Sequence, residues 1–384
     1  MNYFKRYFLT VLISFSILAY GHISTLLFID PLNISKLELS KNEFFIKEMR
    51  FQSAAIINKF SFDSAIVGTS MAENFNASEA NEKLGGIFQN LSLSGSLLGE
   101  RKVLLDYLLT KKNIKTLIIS IDGVTGVQRN QGIPIKSWAF LYNKIYLDDF
   151  TLYTNKKYQR YISCHSIFES EVSNFVFGEC PENKISSRVE GLTEWQSSPN
   201  HNSRFGGIEK WIEYKNNDQV LTSIEQINTA SNLIQEKSVG EKTSINKLYD
   251  PEEFSKNIIP LIKKYPKTRF ILFFPPYSIF RFAINSQTKL GVFLQYKELV
   301  RRVVLETGVY SNAEVYWFAD KDFIKDISNY KDLTHYSSYY NSVFLGEFSK
   351  KHSIIDASNY QRLLDKLEVE ANAINLVEFA KKFQ

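Results

Sequence analysis

The sequence has few of the residues that build metal and nucleotide sites. Its 384 residues include two cysteines and five histidines, and none of these has the spacing of a zinc site. It contains neither a Walker loop nor a Gly-x-Gly-x-x-Gly stretch. We therefore expect no metal ion and no other cofactor. The net charge of +5 is modest and the two signs are interspersed, so we expect no nucleic-acid partner.

The two cysteines, Cys164 and Cys180, are close enough in the chain to form a disulfide in an oxidising compartment. A catalytic thiol usually needs a histidine partner, and His165 adjoins Cys164, but sequence neighbours rarely present both groups to one substrate. A Cys164–Cys180 disulfide and two separate thiols both stay open, because spacing alone does not fix the geometry of a bridge.

Charged side chains are absent from residues 7–29, apart from the titratable His22. The run is long enough for a bilayer core, which needs about 20 residues. Lys5 and Arg6 precede it, as the positive-inside rule requires for a cytoplasmic N-terminus. The sequence thus predicts a single-pass anchor over residues 1–29 in the inner (cytoplasmic) membrane and a periplasmic, extracytoplasmic bulk after a linker at 30–60. A cleaved signal peptide is the alternative, given Ala19-Tyr20-Gly21.

Beyond the linker, short apolar runs alternate with helix-like segments. This alternation predicts an α/β fold with a doubly wound, mostly parallel sheet and helices on both faces, formed by residues 61–123 and 250–384. Residues 124–249 lack the pattern and are predicted to be an inserted subdomain or long functional loops. Predicted strands cover residues 65–67, 88–93, 116–121, 269–274 and 313–318. Predicted helices cover residues 97–111, 224–236, 252–264, 291–306 and 338–350.

The first predicted strand ends at Gly68-Thr69-Ser70, and helix-compatible residues follow it. A serine at such a strand-turn-helix corner is lifted above the sheet edge, and the next amides can face an oxyanion. Ser70 is therefore a candidate nucleophile. The alternative is that Ser70 caps the following helix.

A nucleophilic serine needs a base, and His335 is the best-placed histidine. It follows Asp332 by three residues in a polar loop after the last predicted strand, so the carboxylate can orient the ring. The alternatives are a turn aspartate and a structural histidine. The other histidines lie in an apolar segment, in polar loops or beside lysines: His22, His165, His201 and His352.

Together, Gly68-Thr69-Ser70 and Asp332-x-x-His335 resemble the first and last blocks of the SGNH/GDSL hydrolase superfamily. The stretch from Asn90 to Gly95 resembles the second block. The resemblance implies a catalytic triad of Ser70, His335 and Asp332. It also implies an oxyanion hole formed by the amides of Ser70 and Gly95, although Gly95 can be read equally as an ordinary loop glycine.

Two departures from the family pattern indicate which branch of the superfamily the chain resembles. Thr69 replaces the aspartate of Gly-Asp-Ser, and the third block, Gly-x-Asn-Asp, is replaced by Ile121-Asp122-Gly123 without an asparagine donor. In both departures the chain is similar to the extracytoplasmic branch of the superfamily. This branch includes alginate-acetylation proteins, the teichoic acid D-alanyl-transfer protein and SGNH-like proteins of bacterial surface-polysaccharide clusters.

The resemblance implies a serine O-acyltransferase that O-acetylates a surface polysaccharide through an acyl-serine. A membrane-bound O-acyltransferase would be the donor protein and the glycan the acceptor. A carbohydrate esterase of the same fold is the alternative. A non-catalytic assembly or glycan-binding protein is the second alternative, favoured by the missing asparagine. In the central segment, Trp138, Trp195 and Trp211 could stack on sugars or pack in a local core.

Overall fold

The computed structural model describes residues 3–29, 48–125, 134–145, 150–153, 155, 203–236 and 248–383. Cys164, Cys180, His165, His201 and Trp195 lie outside these residues, so the predicted disulfide stays a prediction. The chain divides into two compact units, Met1–Phe60 with Ile133–Ile185 and Ser61–Gly132 with Ser186–Gln384.

The first unit is helical where it is described. Helix α1 covers Tyr3–Ile29, which is most of the predicted anchor, and apolar side chains such as Phe8 and Phe15 are exposed on it. Among the described residues, no helix combines the length and apolar character needed to cross a bilayer. Helices α2, at Met49–Lys59, and α5, at Phe150–Tyr153, belong to the same unit, with 3₁₀ turns at Ile135–Ser137 and Ala139–Tyr142.

The second unit contains a five-stranded sheet, and every strand pair in it is parallel. This confirms the predicted α/β class. The strands are short, contain β-branched side chains and are mostly buried, as expected for a sheet covered on both faces. They are β1 at Ser64–Val67, β2 at Phe88–Asn90, β3 at Thr116–Ser120, β4 at Arg269–Phe273 and β5 at Ala313–Tyr316.

The strand order β2-β1-β3-β4-β5 reverses direction at β1. In the register, Ile66 of β1 lies between Asn90 of β2 and Ile118 of β3. The loops that leave the carboxyl ends of β1 and β3 run to opposite sides at such a point, and they open a crevice where ligands of parallel sheets bind.

The helices of the second unit form two groups. The helix at Ala77–Leu84 packs on the helix at Tyr339–Lys350, whereas the helix at Pro251–Asn257 contacts the helices at Leu98–Lys111 and Leu290–Thr307. Right-handed crossovers between parallel strands place these groups on opposite faces of the sheet. Bounds are α3 at Ala77–Leu84, α4 at Leu98–Lys111, α6 at Ile208–Glu213, α7 at Asp218–Gln235, α8 at Pro251–Asn257, α9 at Ile259–Lys264, α10 at Ile279–Thr288, α11 at Leu290–Thr307, α12 at Tyr339–Lys350, α13 at Tyr360–Asn372 and α14 at Leu376–Ala380.

Two local predictions were wrong. The residues after Ser70 form turns, and α3 begins only at Ala77, with the side chain of Asn76 as its cap. Ser70 is therefore not the cap of the next helix. The predicted helix over 252–264 is two helices that meet at Ile258, because Pro260 has no amide hydrogen to continue the first one.

Candidate functional site

Ser70 and His335 meet at the carboxyl edge of the sheet. Strand β1 delivers Ser70 through the tight Gly68-Thr69 connection, and the loop after β5 delivers His335. The Oγ atom of Ser70 lies 2.9 Å from Nε2 of His335. This distance is a hydrogen bond, and it suits proton transfer between the two groups.

Asp332 holds the other side of the imidazole ring. Its Oδ2 atom lies 2.7 Å from Nδ1 of His335, and its Oδ1 atom accepts hydrogen bonds from the amides of Thr334 and His335, each 2.8 Å long. The three-residue spacing thus folds into a tight turn in which one carboxylate fixes both the loop and the ring. The structure therefore brings Ser70, His335 and Asp332 into one hydrogen-bonded chain.

The Asp332 carboxyl is buried, and this burial by itself raises its pKa. The positive charge and hydrogen bonds of His335, with a smaller contribution from Lys331, outweigh burial and lower the pKa to about 2. Arg204 is a further cation in range. Burial lowers the pKa of its guanidinium, and the charge of Asp332 opposes that shift. The carboxylate consequently stays charged at neutral and mildly acidic pH.

Gly95 shares one cavity with Ser70. The cavity holds about 270 Å³ and is also lined by His335. Gly95 has a φ of +62°, and a Cβ atom there would have no neighbour within 4 Å, so the glycine serves the backbone conformation and not a close contact. Among the residues that the structure describes, the amides of Ser70 and Gly95 donate no hydrogen bond. Both are free to hold a negatively charged oxygen.

Asp122 follows the carboxyl end of β3, in the place where the family's third block has an asparagine. The hydroxyl of Thr69 donates to Oδ2 of Asp122, and the hydroxyl of Ser120 donates to Oδ1 at 2.6 Å. Arg101 lies 3.6 Å from Oδ1 and donates to the Ser120 carbonyl at 2.6 Å and to the Asp122 carbonyl. Asp122 therefore accepts hydrogen bonds at this edge and anchors the residue before Ser70.

The Arg101–Asp122 ion pair lies inside the protein. Arg101 is fully buried, and burial lowers the pKa of its guanidinium while the charge of Asp122 opposes the shift. Gly123 follows with a φ of +59°, and a Cβ atom there would come within 2.4 Å of the Ser96 carbonyl oxygen. Only glycine fits this position, so the edge of β3 packs tightly against the loop that carries Gly95.

Sequence reasoning missed Arg101, although a signal was present. Arg101, Leu104, Leu105 and Leu108 follow the i, i+3, i+4, i+7 spacing of a buried helix face, and all four are buried in α4. An arginine on such a stripe indicates a buried counter-ion. Asp122 also had a signal, because it follows β3 directly at the edge where sites of parallel sheets collect.

The two tryptophans of the central segment that the structure describes, Trp138 and Trp211, are buried. Trp138 is fully buried in the first unit, where its ring packs edge-on against Tyr142. Trp211 is fully buried in the second unit and donates from Nε1 to the Tyr330 carbonyl. Both pack in local cores, and the aromatic lining of the cavity comes instead from Tyr249 and Tyr277.

Within the described ranges, no group of three or more histidine, cysteine, aspartate or glutamate side chains is arranged to hold a metal ion. Comparison with protein-family models, with curated proteins and with solved structures finds no match to this chain. The function is therefore inferred from the geometry of the cavity and from the sequence blocks that form it.

Proposed function

We propose that the protein is an extracytoplasmic serine O-acyltransferase of SGNH type that O-acetylates a bacterial surface polysaccharide. The observation that carries the proposal is the continuous hydrogen-bonded chain from Ser70 through His335 to Asp332 at the carboxyl edge of a parallel sheet. The order of the five strands and the matching block around Gly95 support the SGNH-type assignment.

The chemistry begins with a proton transfer. Nε2 of His335 takes the proton of the Ser70 hydroxyl while Oγ attacks the carbonyl carbon of an acyl donor. The amides of Ser70 and Gly95 hold the oxyanion, and each donor contributes on the order of 3 kcal/mol to lowering the barrier. Asp332 keeps the ring oriented and stabilises the imidazolium that forms. The tetrahedral intermediate collapses, His335 protonates the leaving oxygen, and the acyl group remains on Ser70.

The second half returns the serine to its free state. His335 accepts a proton from a sugar hydroxyl, whose oxygen attacks the acyl-serine carbonyl. Collapse of this second intermediate breaks the bond to Oγ, and His335 returns its proton to Ser70. The products are the sugar ester and the free serine, so the cycle needs no further reagent.

Transfer to a glycan is favoured by the N-terminal segment. Residues 7–29 carry no charge apart from the titratable His22, and α1 exposes apolar side chains along much of its length. We propose that residues 1–29 anchor the chain in the cytoplasmic membrane and keep the cavity on the periplasmic side. A membrane-bound O-acyltransferase would then supply the acyl group beside the polymer.

Two alternatives have specific support. Ser70 and His335 are only half-buried, so water can reach an acyl-serine, which favours a carbohydrate esterase. The carboxylate of Asp122 in place of an asparagine donor favours a non-catalytic protein that binds glycan.

A chromosomal Ser70→Ala strain separates the three functions. Loss of polymer acetylation supports the transferase, and increased acetylation supports the esterase. Unchanged acetylation supports the non-catalytic protein.

A further inference from the structure

The cavity that contains Ser70 is also lined by an arginine that the mechanism does not use. Arg281 lies in the first turn of α10, three residues after the cap residue Ser278. A cation there faces the positive end of the helix dipole, which is an unfavourable place for it. The Arg281 guanidinium should therefore either pair with an anion of the protein or bind an anion in the cavity.

No anion of the described protein compensates Arg281. Its guanidinium donates to the side-chain oxygen of Gln226, which is neutral, and among the described residues it forms no ion pair. Asp122 lines the same cavity, but its carboxylate is already occupied by Arg101, Thr69 and Ser120. The positive charge of Arg281 is thus available to a bound molecule.

A second cation lies close to Arg281. Lys289 follows the end of α10 and is half-buried. Burial, and then repulsion by Arg281, lower the pKa of its ammonium group. Lys289 also has no ion pair among the described residues. Arg281 lines the cavity and Lys289 adds to the positive potential around it, which favours the binding of an anion.

Tyr277 adds a neutral donor to the same lining. Burial, together with nearby groups that include Asp122, raises the pKa of its hydroxyl well above the usual value, while Arg281 opposes the shift. The hydroxyl therefore keeps its proton at neutral pH and can donate to an oxyanion. The ring, with that of Tyr249, gives the cavity flat apolar surfaces beside its charge.

We propose that Arg281, assisted by Tyr277, binds an anionic group of the glycan substrate, so that the acceptor is an acidic polysaccharide that carries carboxylate or phosphate groups. Guanidinium groups bind both anions through paired hydrogen bonds. The inference rests on the proposed function, because it names the substrate class of the same cavity.

The test measures binding and not turnover. The full-length Ser70→Ala chain is titrated at low ionic strength with a galacturonate trisaccharide, with galactose 6-phosphate and with the neutral galactotriose. At least one anionic probe should bind at least tenfold more tightly than galactotriose. A preference for the trisaccharide alone identifies carboxylate recognition, and a preference for the sugar phosphate alone identifies phosphate recognition. Tight binding of both identifies a general anion site.

The variants locate the site. Arg281→Gln, added to the Ser70→Ala chain, should abolish the preference, Arg281→Lys should keep part of it, and Lys289→Gln should weaken it about threefold. Arg301→Gln is the matched control, because it removes an exposed arginine that pairs with Glu298. It should change the affinity less than twofold. Thermal unfolding of each variant checks that the chain is folded.

The inference is overturned if galactotriose binds as tightly as both anionic probes, or if the preference survives in a folded Arg281→Gln chain. Because binding is measured without Ser70, it stands apart from catalysis. A clear anion preference in a chain whose Ser70 never becomes acylated would remove the proposed function and leave the anion site standing. Acylation of Ser70 without anion preference would do the reverse.

Discussion

Two neighbouring residues of one turn begin two different hydrogen-bonded chains. Ser70 leads through His335 to Asp332, and Thr69 leads through Asp122 to Arg101. The first chain begins at a half-buried hydroxyl that faces a cavity, whereas the second ends at a fully buried guanidinium. In the proposed function the first chain moves a proton, whereas the second holds the turn in place.

The largest effect expected is the loss of the base. His335→Ala should reduce the rate of acyl transfer or ester hydrolysis by about 10⁴-fold, because Ser70 loses the group that accepts its proton. Turnover of p-nitrophenyl acetate by the full chain measures it.

His352→Ala is the control for this change. His352 is exposed after α12, outside the cavity. If both histidine variants turn over the ester as fast as the unaltered protein, the hydrogen-bonded series Ser70–His335–Asp332 is not catalytic.

The second effect concerns the stability that the buried series Thr69–Asp122–Arg101 provides. Arg101→Met leaves Asp122 buried without its counter-ion and should reduce the free energy of unfolding by about 3–5 kcal/mol. Denaturant unfolding measures it. A double variant, Arg101→Met with Asp122→Asn, should recover part of the loss because no uncompensated charge remains.

Arg301→Met is the matched control, since this arginine pairs with Glu298 on the surface of α11. It should cost less than about 1 kcal/mol. Equal losses in the two arginine variants would contradict a special role for the buried pair.

A third effect follows from the lowered pKa of Asp332. The folded state holds this pKa at about 2, below the ordinary 3.8. Its stabilising contribution is therefore complete above the ordinary value and is lost as the pH falls through about 2. The shift corresponds to about 2 kcal/mol. Unfolding free energies at pH 7 and pH 2.5 should show a gap between the unaltered chain and Asp332→Asn that narrows in acid.

A gap that is constant across this pH range would mean that Asp332 is not held as a charged partner of His335. The same variant should lose most of its activity at neutral pH, because the ring is no longer oriented.

The smallest effect concerns the loop glycine. Gly95→Ala introduces a side chain at positive φ without a steric clash, so it should cost about 1 kcal/mol of stability from backbone strain. Since the amide remains, the rate should fall less than tenfold. Chemical unfolding and turnover measure the two quantities.

Gly99→Ala provides the comparison, because Gly99 lies within α4 at an open position. Alanine should be neutral or slightly stabilising there. A larger rate loss in Gly99→Ala than in Gly95→Ala would argue against an oxyanion role for the loop.

The sheet could be read from the sequence because its three central strands, β1, β3 and β4, are short and largely apolar runs. The runs at 65–67, 116–121 and 269–274 lie within one residue of the observed strands at both ends. Helix α10 was not predicted, because its cap at Ser278 follows two prolines and its ten residues give little periodicity. Helix α13 was also missed, although Leu363, Leu364 and Leu367 have helical spacing.

The triad could be predicted because each of its residues lies in a short motif that follows a predicted strand. Asp332 and His335 share a loop, and Ser70 has its own corner, so their meeting follows from the topology of a parallel sheet. The partners of Thr69 were missed, because the separate signals of Asp122 after β3 and of Arg101 on the apolar stripe of α4 do not say that the two side chains meet. The Thr69–Asp122 contact joins residues 53 positions apart, and the burial of Arg101 depends on the packing of α4 against β3.

Mass spectrometry can detect an acyl group on Ser70. The full chain is incubated with p-nitrophenyl acetate, and its intact mass and the mass of the peptide containing Ser70 are determined beside a Ser70→Ala chain. We expect one added acetyl group on the Ser70 peptide, none in the variant, and faster loss of the group when glycan is supplied. An unlabelled chain, or equal labelling of the variant, would contradict it.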